Sequence, residues 1–149
     1  MANESGRDVA ARFVRSIGND PDAMQAVMHP DFAEEWPQSK ERIRGPENLR
    51  QVIESYPGAA RAAIGTREIR GIAGAKDEWV LSPRFVPLQV VGTGDTYTVE
   101  SMGAYPDGSE WFVVHIIKLK DDLVHRVTTY FGQGFDAPDW RAPFVERME

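Results

Sequence analysis

The sequence predicts an α+β fold: a cone-shaped α+β barrel in which three N-terminal helices pack on a strongly bent mixed or antiparallel sheet. Two observations support this prediction. Apolar residues recur at helical spacing in the first half of the chain, and from about Thr66 the period drops to two, as in half-buried strands. A chain of 149 residues with 42% hydrophobic residues supports one core. Residues 1–149 are therefore expected to form a single domain that ends in a short helical segment.

The helices are predicted from their start and stop signals. The first lies between Arg7 and Gly18, because glycine ends a helix readily in the left-handed conformation. Asp20 and Pro21 supply a cap and a first-turn proline for a brief second helix, and Pro30 forbids its continuation. The segment GPENLRQVIESY opens a third helix at Pro46. The apolar faces of the first and third helices are formed by Val9, Phe13, Ile17, Leu49, Val52, Ile53 and Tyr56.

The strands are predicted from alternation. FAEEWPQ places Phe32, Glu34 and Trp36 on one face of a short edge strand that Pro37 stops. Further strands are predicted near residues 66–73, 78–91, 96–105, 110–120 and 123–131. After Gly132, Trp140, Phe144 and Met148 recur every four residues, so one or two helical turns are expected to pack back on the sheet.

Two turns set the strand register. The sequence YPDGS at 105–109 is typical of a hairpin, since proline presets the first turn angle and glycine accepts the left-handed one. Asp121 and Asp122 are expected to form a two-residue turn, although aspartate tolerates a positive φ less readily than glycine does.

Composition excludes several partner classes. Seventeen Lys and Arg against 23 Asp and Glu give a net charge of −6, and no run of five like charges occurs, so neither nucleic acid nor a membrane is expected to bind. An apolar signal core and cysteines are both missing from the sequence, which favours a cytoplasmic protein. The histidines at 29, 115 and 125 do not have metal-ligand spacing, and no glycine-rich phosphate loop follows a strand, so no metal or cofactor is predicted.

The stretch WFVVHIIKLKDDLVHRVTTYFG, residues 111–132, carries His115 inside an apolar run. If Lys120 pairs with Leu123, then residue 115 pairs with 128, and one sheet face holds Trp111, Val113, His115, Ile117, Val124, Arg126, Thr128 and Tyr130. A few polar groups among apolar ones are typical of a small-molecule pocket. A slip of one residue would exchange the faces of one strand and disperse this cluster.

Two register alternatives remain open for Glu100. A four-residue loop at 106–109 would pair Glu100 with His115, where a carboxylate would raise the basicity of the imidazole, whereas a three-residue loop with a glycine bulge would pair Val99 there. Structural roles also compete with a pocket role. His115 fits a core histidine bonded to a neighbour, Arg126 an ion pair at the sheet end, and Tyr130 and Trp36 fit plain core or interface aromatics.

The order ARFVRSIGNDPDAMQAVMHPDFAEEWPQ, RGPENLRQVIESYPG and YPDGSEWFVVHIIKLKDDLVHRVTTYFG resembles the nuclear-transport-factor-2-like superfamily, and more narrowly its SnoaL-like polyketide cyclase branch. The resemblance spans nearly the whole chain and is specific for fold rather than activity. Matching to ketosteroid isomerase puts Trp36, Phe13 and His115 at the positions of that enzyme's base, phenol donor and acidic donor. Two of the three are apolar here, so the resemblance does not imply steroid isomerisation by that mechanism. The arginine and two aspartates of limonene epoxide hydrolase are not apparent either.

The resemblance implies one of two functions. The first is a cofactor-independent, polyketide cyclase-like lyase or isomerase that acts on a small apolar or carbonyl-containing molecule. His115 is then the proton-transfer residue, Arg126 and Tyr130 are orienting donors, Phe13 and Trp36 are walls, and Glu100, Trp111 and Thr128 complete the predicted pocket. The alternative is a non-catalytic ligand-binding or dimerisation domain. In both cases a homodimer is expected, because the strands of residues 110–131 are apolar on both faces.

Overall fold

The computed structural model describes residues 4–56, 84–105 and 107–148. The predicted strand at 66–73 and the beginning of the one at 78–91 lie outside these residues. The described part contains three α-helices, six strands and one 3-10 helix.

All three predicted helices are present. Helix α1 spans Gly6–Ser16, α2 spans Pro21–Ala26, and α3 spans Pro46–Glu54. Ser5 caps α1 by accepting a hydrogen bond from the Asp8 backbone N–H, and Asp20 caps α2 by accepting one from Ala23. These caps fix where each helix starts, so the apolar faces point at the sheet.

The six strands form one curved mixed sheet that does not close. The strands are β1 (Met28–Trp36), β2 (Glu41–Arg44), β3 (Arg84–Thr93), β4 (Thr96–Ala104), β5 (Glu110–Lys120) and β6 (Leu123–Gln133), in the order β2-β1-β6-β5-β4-β3. Among the strand pairs of the described residues, β1–β6 alone is parallel. The predicted α+β architecture, with N-terminal helices on a bent sheet, is therefore confirmed, and within the described residues the sheet is open.

Strand β1 differs from its prediction. It runs from Met28 to Trp36 and pairs with both β2 and β6, so the prediction of a short edge strand is wrong. Pro30 is tolerated because the pairing with β6 is interrupted between Met28 and Ala33, where no ladder hydrogen bond is needed. The short partner strand β2 was not anticipated.

The β4–β5 hairpin closes through the shorter of the two loops considered. The Tyr105 N–H donates to the Ser109 carbonyl, Gly108 has φ +85°, and Val99 pairs with His115. Glu100 therefore pairs with Val114 and is exposed on the opposite face. The alternative in which Glu100 faces His115 is wrong.

The β5–β6 hairpin begins as predicted and then shifts. Asp121 and Asp122 form the turn with φ values of 53° and 60°, and Lys120 pairs with Leu123. Leu119 pairs with Val124 but Lys118 pairs with Arg126, so β6 carries one extra residue between these pairs. From that bulge onward the predicted pairing is wrong by one residue, and His115 lies opposite Thr129.

The core lies between α1, α2, α3 and the inner face of the sheet. Its most deeply buried apolar side chains are Phe13, Val14, Met24, Phe32, Val99, Val113, Ile117, Val124 and Val127. The bulge places Val124 and Val127 on this inner face, with Thr129 and Phe131 following them along β6.

The C-terminal segment does not pack on the sheet. A 3-10 helix spans Asp139–Phe144, but Trp140, Phe144 and Met148 are 72%, 82% and 98% exposed. The expectation that these side chains pack back on the sheet is therefore wrong. In the described ranges, no helix has the length and apolar character needed to cross a membrane.

Candidate functional site

A cavity of about 390 Å³ opens between α3, the ends of β1 and β2, and the inner face of β5 and β6. Its wall is mainly apolar. Six aromatic side chains line it: Trp36, Tyr56, Phe85, Tyr105, Trp111 and Phe131. The polar or ionisable side chains on its wall, besides those tyrosines and tryptophans, are Glu34, Gln38, Ser39, Glu41, His115 and Thr129. An apolar wall with a few polar groups suits a small organic molecule.

Of the carboxyl groups in this wall, that of Glu34 is buried most deeply. Strand alternation places it on the same face of β1 as Phe32 and Trp36, and it is 3% exposed. The Thr129 hydroxyl donates to Glu34 Oε1 over 2.6 Å. This short contact holds the carboxyl group at the edge of the cavity.

Burial controls the protonation of Glu34. It raises the pKa of this carboxyl group to about 7, while the hydrogen bond from Thr129 and the nearby indole N–H of Trp36 act in the opposite direction. The indole nitrogen has no partner in hydrogen-bond geometry within the described residues, so it acts on Glu34 as a nearby N–H dipole. Glu34 is thus divided between its acid and its carboxylate near neutral pH.

His115 lies behind Glu34, at the centre of a buried polar group. Its Nδ1 is 3.3 Å from Thr129 Oγ1 and its Nε2 is 3.2 Å from Ser101 Oγ. The ring is 1% exposed, and burial lowers the pKa of His115 to about 3. The imidazole is therefore neutral at physiological pH, and both of its nitrogens already face side-chain oxygens.

Aromatic contacts stiffen the rest of the wall. The rings of Tyr56 and Tyr105 stack with centroids 5.8 Å apart, and Tyr105 also meets Trp111 edge to face at 5.3 Å. Burial raises the pKa of the Tyr105 hydroxyl, so it stays protonated and can donate a hydrogen bond. Phe131 packs edge to face on Trp36 at 5.4 Å.

The structure brings together three of the eight predicted site residues: His115, Trp36 and Trp111 line the cavity. Phe13 is fully buried in the core and is not part of the cavity wall. The other four do not line it. Glu100 lies on the opposite sheet face for the reason given above, and the β6 bulge turns Arg126, Thr128 and Tyr130 to that face as well.

Arg126 is instead placed by its ion pair. Its guanidinium contacts the Asp31 carboxylate at 3.4 Å and also donates to the Asp31 backbone carbonyl. This matches the ion-pair interpretation considered for Arg126 from the sequence. Thr129, one residue further along than the predicted Thr128, faces His115.

Sequence reasoning missed Glu34 and Ser101. A signal for Glu34 was present, because the alternation in FAEEWPQ puts a carboxyl group between Phe32 and Trp36 on a buried face. A charge at such a position is seldom buried without a purpose or a partner. For Ser101 there was no comparable signal. Within the ranges that the structure describes, no cluster of three potential ligands could hold a metal ion.

No protein-family model matches the chain, and no curated protein sequence matches it. Solved structures do match. A nuclear-transport-factor-2-like protein of unknown function from Burkholderia xenovorans is 25% identical with a TM-score of 0.70, and the match covers 97% of this chain and 95% of that one.

Two further structures are similar. A protein from Kribbella flavida with a proposed ketosteroid isomerase assignment is 21% identical with a TM-score of 0.69, over 97% of this chain and 90% of that one. A protein from Sinorhizobium meliloti with a proposed polyketide cyclase assignment is 19% identical with a TM-score of 0.54, over 82% of this chain and 93% of that one. The chain therefore has the fold of the nuclear-transport-factor-2-like proteins.

Proposed function

We propose that the cavity binds a small apolar molecule containing a carbonyl group, and that the protein moves a proton at the carbon beside that carbonyl without a cofactor. The observation that carries this proposal is Glu34: a carboxyl group buried in the wall of an apolar cavity, with its pKa raised to about 7. A general base works best when its pKa lies near the operating pH. Cyclase and isomerase reactions both need such a step.

Glu34 is the proposed proton acceptor. Its carboxylate takes the proton from the carbon, and the electron pair of the broken C–H bond moves onto the carbonyl oxygen as an enolate. The same proton, now on Glu34, is then returned at a second carbon or passed to an oxygen of the product. Because the cavity wall is largely apolar, water competes little for the carboxylate.

Two donors on the cavity wall are suited to hold the enolate oxygen. The Trp36 indole N–H has no partner in the described part of the chain, and a buried unpartnered donor favours a ligand acceptor. The Tyr105 hydroxyl is the second, because its raised pKa keeps it protonated. Neither donor is on β6, so the predicted orienting roles of Arg126 and Tyr130 are replaced in this proposal.

His115 keeps a role, but an indirect one. The prediction from the sequence made it the proton-transfer residue. An imidazole with a pKa of about 3, flanked by Thr129 and Ser101, is a weak base at neutral pH. We therefore assign His115 to holding the Thr129 hydroxyl, which in turn holds Glu34.

Binding without turnover is the second candidate function. The cavity is open and mostly apolar, and it would accept an apolar ligand whether or not Glu34 reacts. The two candidates differ in one property: only the enzyme exchanges a proton with its ligand.

We further propose that the protein is a homodimer that pairs through the outer sheet face. Phe112 and Tyr130 on that face are 52% and 45% exposed, and Leu88 and Val91 on β3 are 58% and 54% exposed. Apolar surface concentrated on one sheet face is typical of an interface between copies of one chain.

The test of the enzymatic proposal is hydrogen–deuterium exchange on apolar bicyclic ketones such as 2-tetralone, followed by proton NMR in D₂O. The protein is expected to accelerate exchange at the carbons beside the carbonyl, and Glu34→Gln should reduce the rate by about 10²-fold or more. Glu35→Gln is the matched control, because Glu35 is the adjacent carboxylate, exposed and paired with Arg42 at 2.9 Å. A ketone that binds but exchanges no faster than in buffer would favour binding without turnover.

A further inference from the structure

Four side chains form a continuous hydrogen-bonded chain that begins on the cavity wall and runs to the buried Ser101. Glu34 Oε1 contacts Thr129 Oγ1 at 2.6 Å, Thr129 Oγ1 contacts His115 Nδ1 at 3.3 Å, and His115 Nε2 contacts Ser101 Oγ at 3.2 Å. The chain ends at the Val113 backbone carbonyl, 3.4 Å from Ser101 Oγ. Every side chain in it is at most 3% exposed.

With Glu34 ionised, every hydrogen bond in this series of side chains donates in one direction, towards Glu34. A carboxylate only accepts, so the single hydroxyl proton of Thr129 points to Glu34. Thr129 Oγ1 must then accept from His115 Nδ1–H. The neutral ring carries one N–H, which leaves Nε2 as an acceptor for the Ser101 hydroxyl.

With Glu34 protonated, the acid proton needs an acceptor. Thr129 Oγ1 can accept this proton from Oε1. Trp36, the other side chain that acts on the pKa of Glu34 within the described residues, offers only an N–H. If Glu34 donates to Thr129, then the Thr129 hydroxyl donates to His115 Nδ1. The ring proton must then sit on Nε2 and point to Ser101, whose own hydroxyl turns to the Val113 carbonyl.

We propose that protonation of Glu34 reverses the direction of this chain and converts neutral His115 from its Nδ1–H to its Nε2–H tautomer. The protons balance: the first state has hydrogens on Thr129, His115 Nδ1 and Ser101, and the second has the same three groups protonated, with the ring hydrogen on Nε2, plus one on Glu34. Ser101 is thus a positioning residue. It can donate to Nε2 in one state and accept from it in the other, because the Val113 carbonyl receives its hydroxyl proton.

The titratable groups around the cavity do not add a charge that would change the protonation of Glu34. Within the described ranges, the other titratable side chains on the cavity wall are Glu41 on β2, Tyr56 after α3, and Tyr105 after β4, and β6 contributes none. In the described part of α1, only Ile17, which follows the helix, reaches the cavity wall. Among the described residues, no charged neighbour contributes to the pKa of Glu34, on which burial, Thr129 and Trp36 act. The reversal follows from hydrogen-bond geometry and holds whether or not the proposed turnover occurs.

The test is nitrogen-15 NMR of the histidine rings in the full-length protein, without ligand, between pH 5.5 and pH 8.5. The signals of His115 are assigned by comparison with His29→Gln and His125→Gln. We expect His115 to stay neutral, with its protonated nitrogen changing from Nε2 at low pH to Nδ1 at high pH along one titration curve. A tautomer that stays fixed across this range, or a ring that becomes doubly protonated, would overturn the proposal.

Two variants separate the relay from an indirect effect. Glu34→Gln removes the titration and should hold His115 in one pH-independent state. Thr129→Val breaks the link while leaving Glu34 ionisable, so the tautomer should no longer follow pH; Thr128→Val, on the opposite sheet face, is the matched control and should leave the switch intact. If the tautomer still switched in Thr129→Val, a route other than this chain would connect the two groups and the proposal would fail. The wild-type titration alone remains decisive where a variant does not fold.

Discussion

Thr129 on β6 donates its hydroxyl proton to Glu34 on the neighbouring parallel strand β1 over 2.6 Å, and this contact joins the apolar cavity to the buried polar chain behind it. The contact exists because a bulge in β6 puts Thr129, rather than Thr128, on the inner face. A carboxyl group is thereby held in a site where its charge is poorly solvated. The consequences for stability can be measured without knowing the ligand.

Glu34→Gln should change how stability depends on pH. The pKa of Glu34 rises from 4.5 to about 7 on folding, so the folded state binds this proton more tightly and Glu34 makes stability fall as pH rises between these values. At 1.36 kcal/mol per pKa unit, the full effect is about 3 kcal/mol. Relative to wild type, Glu34→Gln should therefore gain about that much between pH 4.5 and pH 8, measured by urea unfolding. An equal difference at both ends of the range would mean that Glu34 titrates normally.

His115 acts on stability in the opposite direction. Its pKa falls from 6.5 to about 3 on folding, so stability is complete above pH 6.5 and is lost as pH falls towards 3. At pH 7.5, His115→Leu should cost about 1–3 kcal/mol, because Ser101 and Thr129 each lose a buried partner. This cost should shrink between pH 6.5 and pH 4.5, where the unfolded wild type takes up a proton that the folded protein excludes.

His115→Asn is the companion variant. It keeps hydrogen-bonding capacity without titrating, so it should show the same trend with pH from a smaller initial cost. A cost that stays constant with pH in both variants would contradict a neutral, buried His115.

Elements with a local sequence signal were predicted correctly, and those without one were not. Caps and prolines determine helix ends within a few residues, so α1, α2 and α3 were predictable. The Asp121–Asp122 turn was also predictable. The bulge at His125, between the Lys118–Arg126 and Leu119–Val124 pairs, was not, because LVHRVTTYF alternates equally well in either register. That single extra residue decided whether Arg126, Thr128 and Tyr130 or Val127, Thr129 and Phe131 would face the cavity.

The same register ambiguity explains which candidate site residues were predicted correctly. His115 sits on the inner face in both registers of β6, since its own strand does not change, and it was found. Glu34 is buried because β1 has a neighbouring strand on each side, β2 and β6. The pairing of β1 with β6 joins residues about 95 apart in the chain. The alternation in FAEEWPQ places Glu34 on the same face as Phe32 and Trp36, but the long-range pairing that buries this strand leaves no local pattern.

Asp122→Gly should stabilise the protein. Both turn residues have positive φ, at 53° and 60°, where a residue with a side chain is strained and glycine is not. We expect a gain of about 0.5–1 kcal/mol in the free energy of unfolding from Asp122→Gly. Asp122→Ala is the control and should lose stability, since alanine lacks the side-chain hydrogen bonding that helps aspartate in this conformation. A loss of stability with glycine would contradict the strain.

The proposed homodimer predicts a mass of twice 16.7 kDa in analytical ultracentrifugation at micromolar concentration. Phe112→Glu places a charge on the outer sheet face and should shift the protein to monomer while leaving its circular dichroism unchanged. Glu100→Gln, an exposed polar change on the same face, should have little effect. A monomeric wild type would remove the dimer proposal.

The measurement that tests the account most directly is a carbon-13 NMR titration of the Glu34 side-chain carboxyl group in the ligand-free protein, with Glu34→Gln identifying its signal. Burial in the cavity wall predicts an apparent pKa of about 7, and Thr129→Val should raise it further, because the hydrogen bond from Thr129 lowers this pKa. An apparent pKa near 4.5 would contradict the account, since Glu34 would then be an ordinary carboxylate with no capacity to exchange a proton near neutral pH.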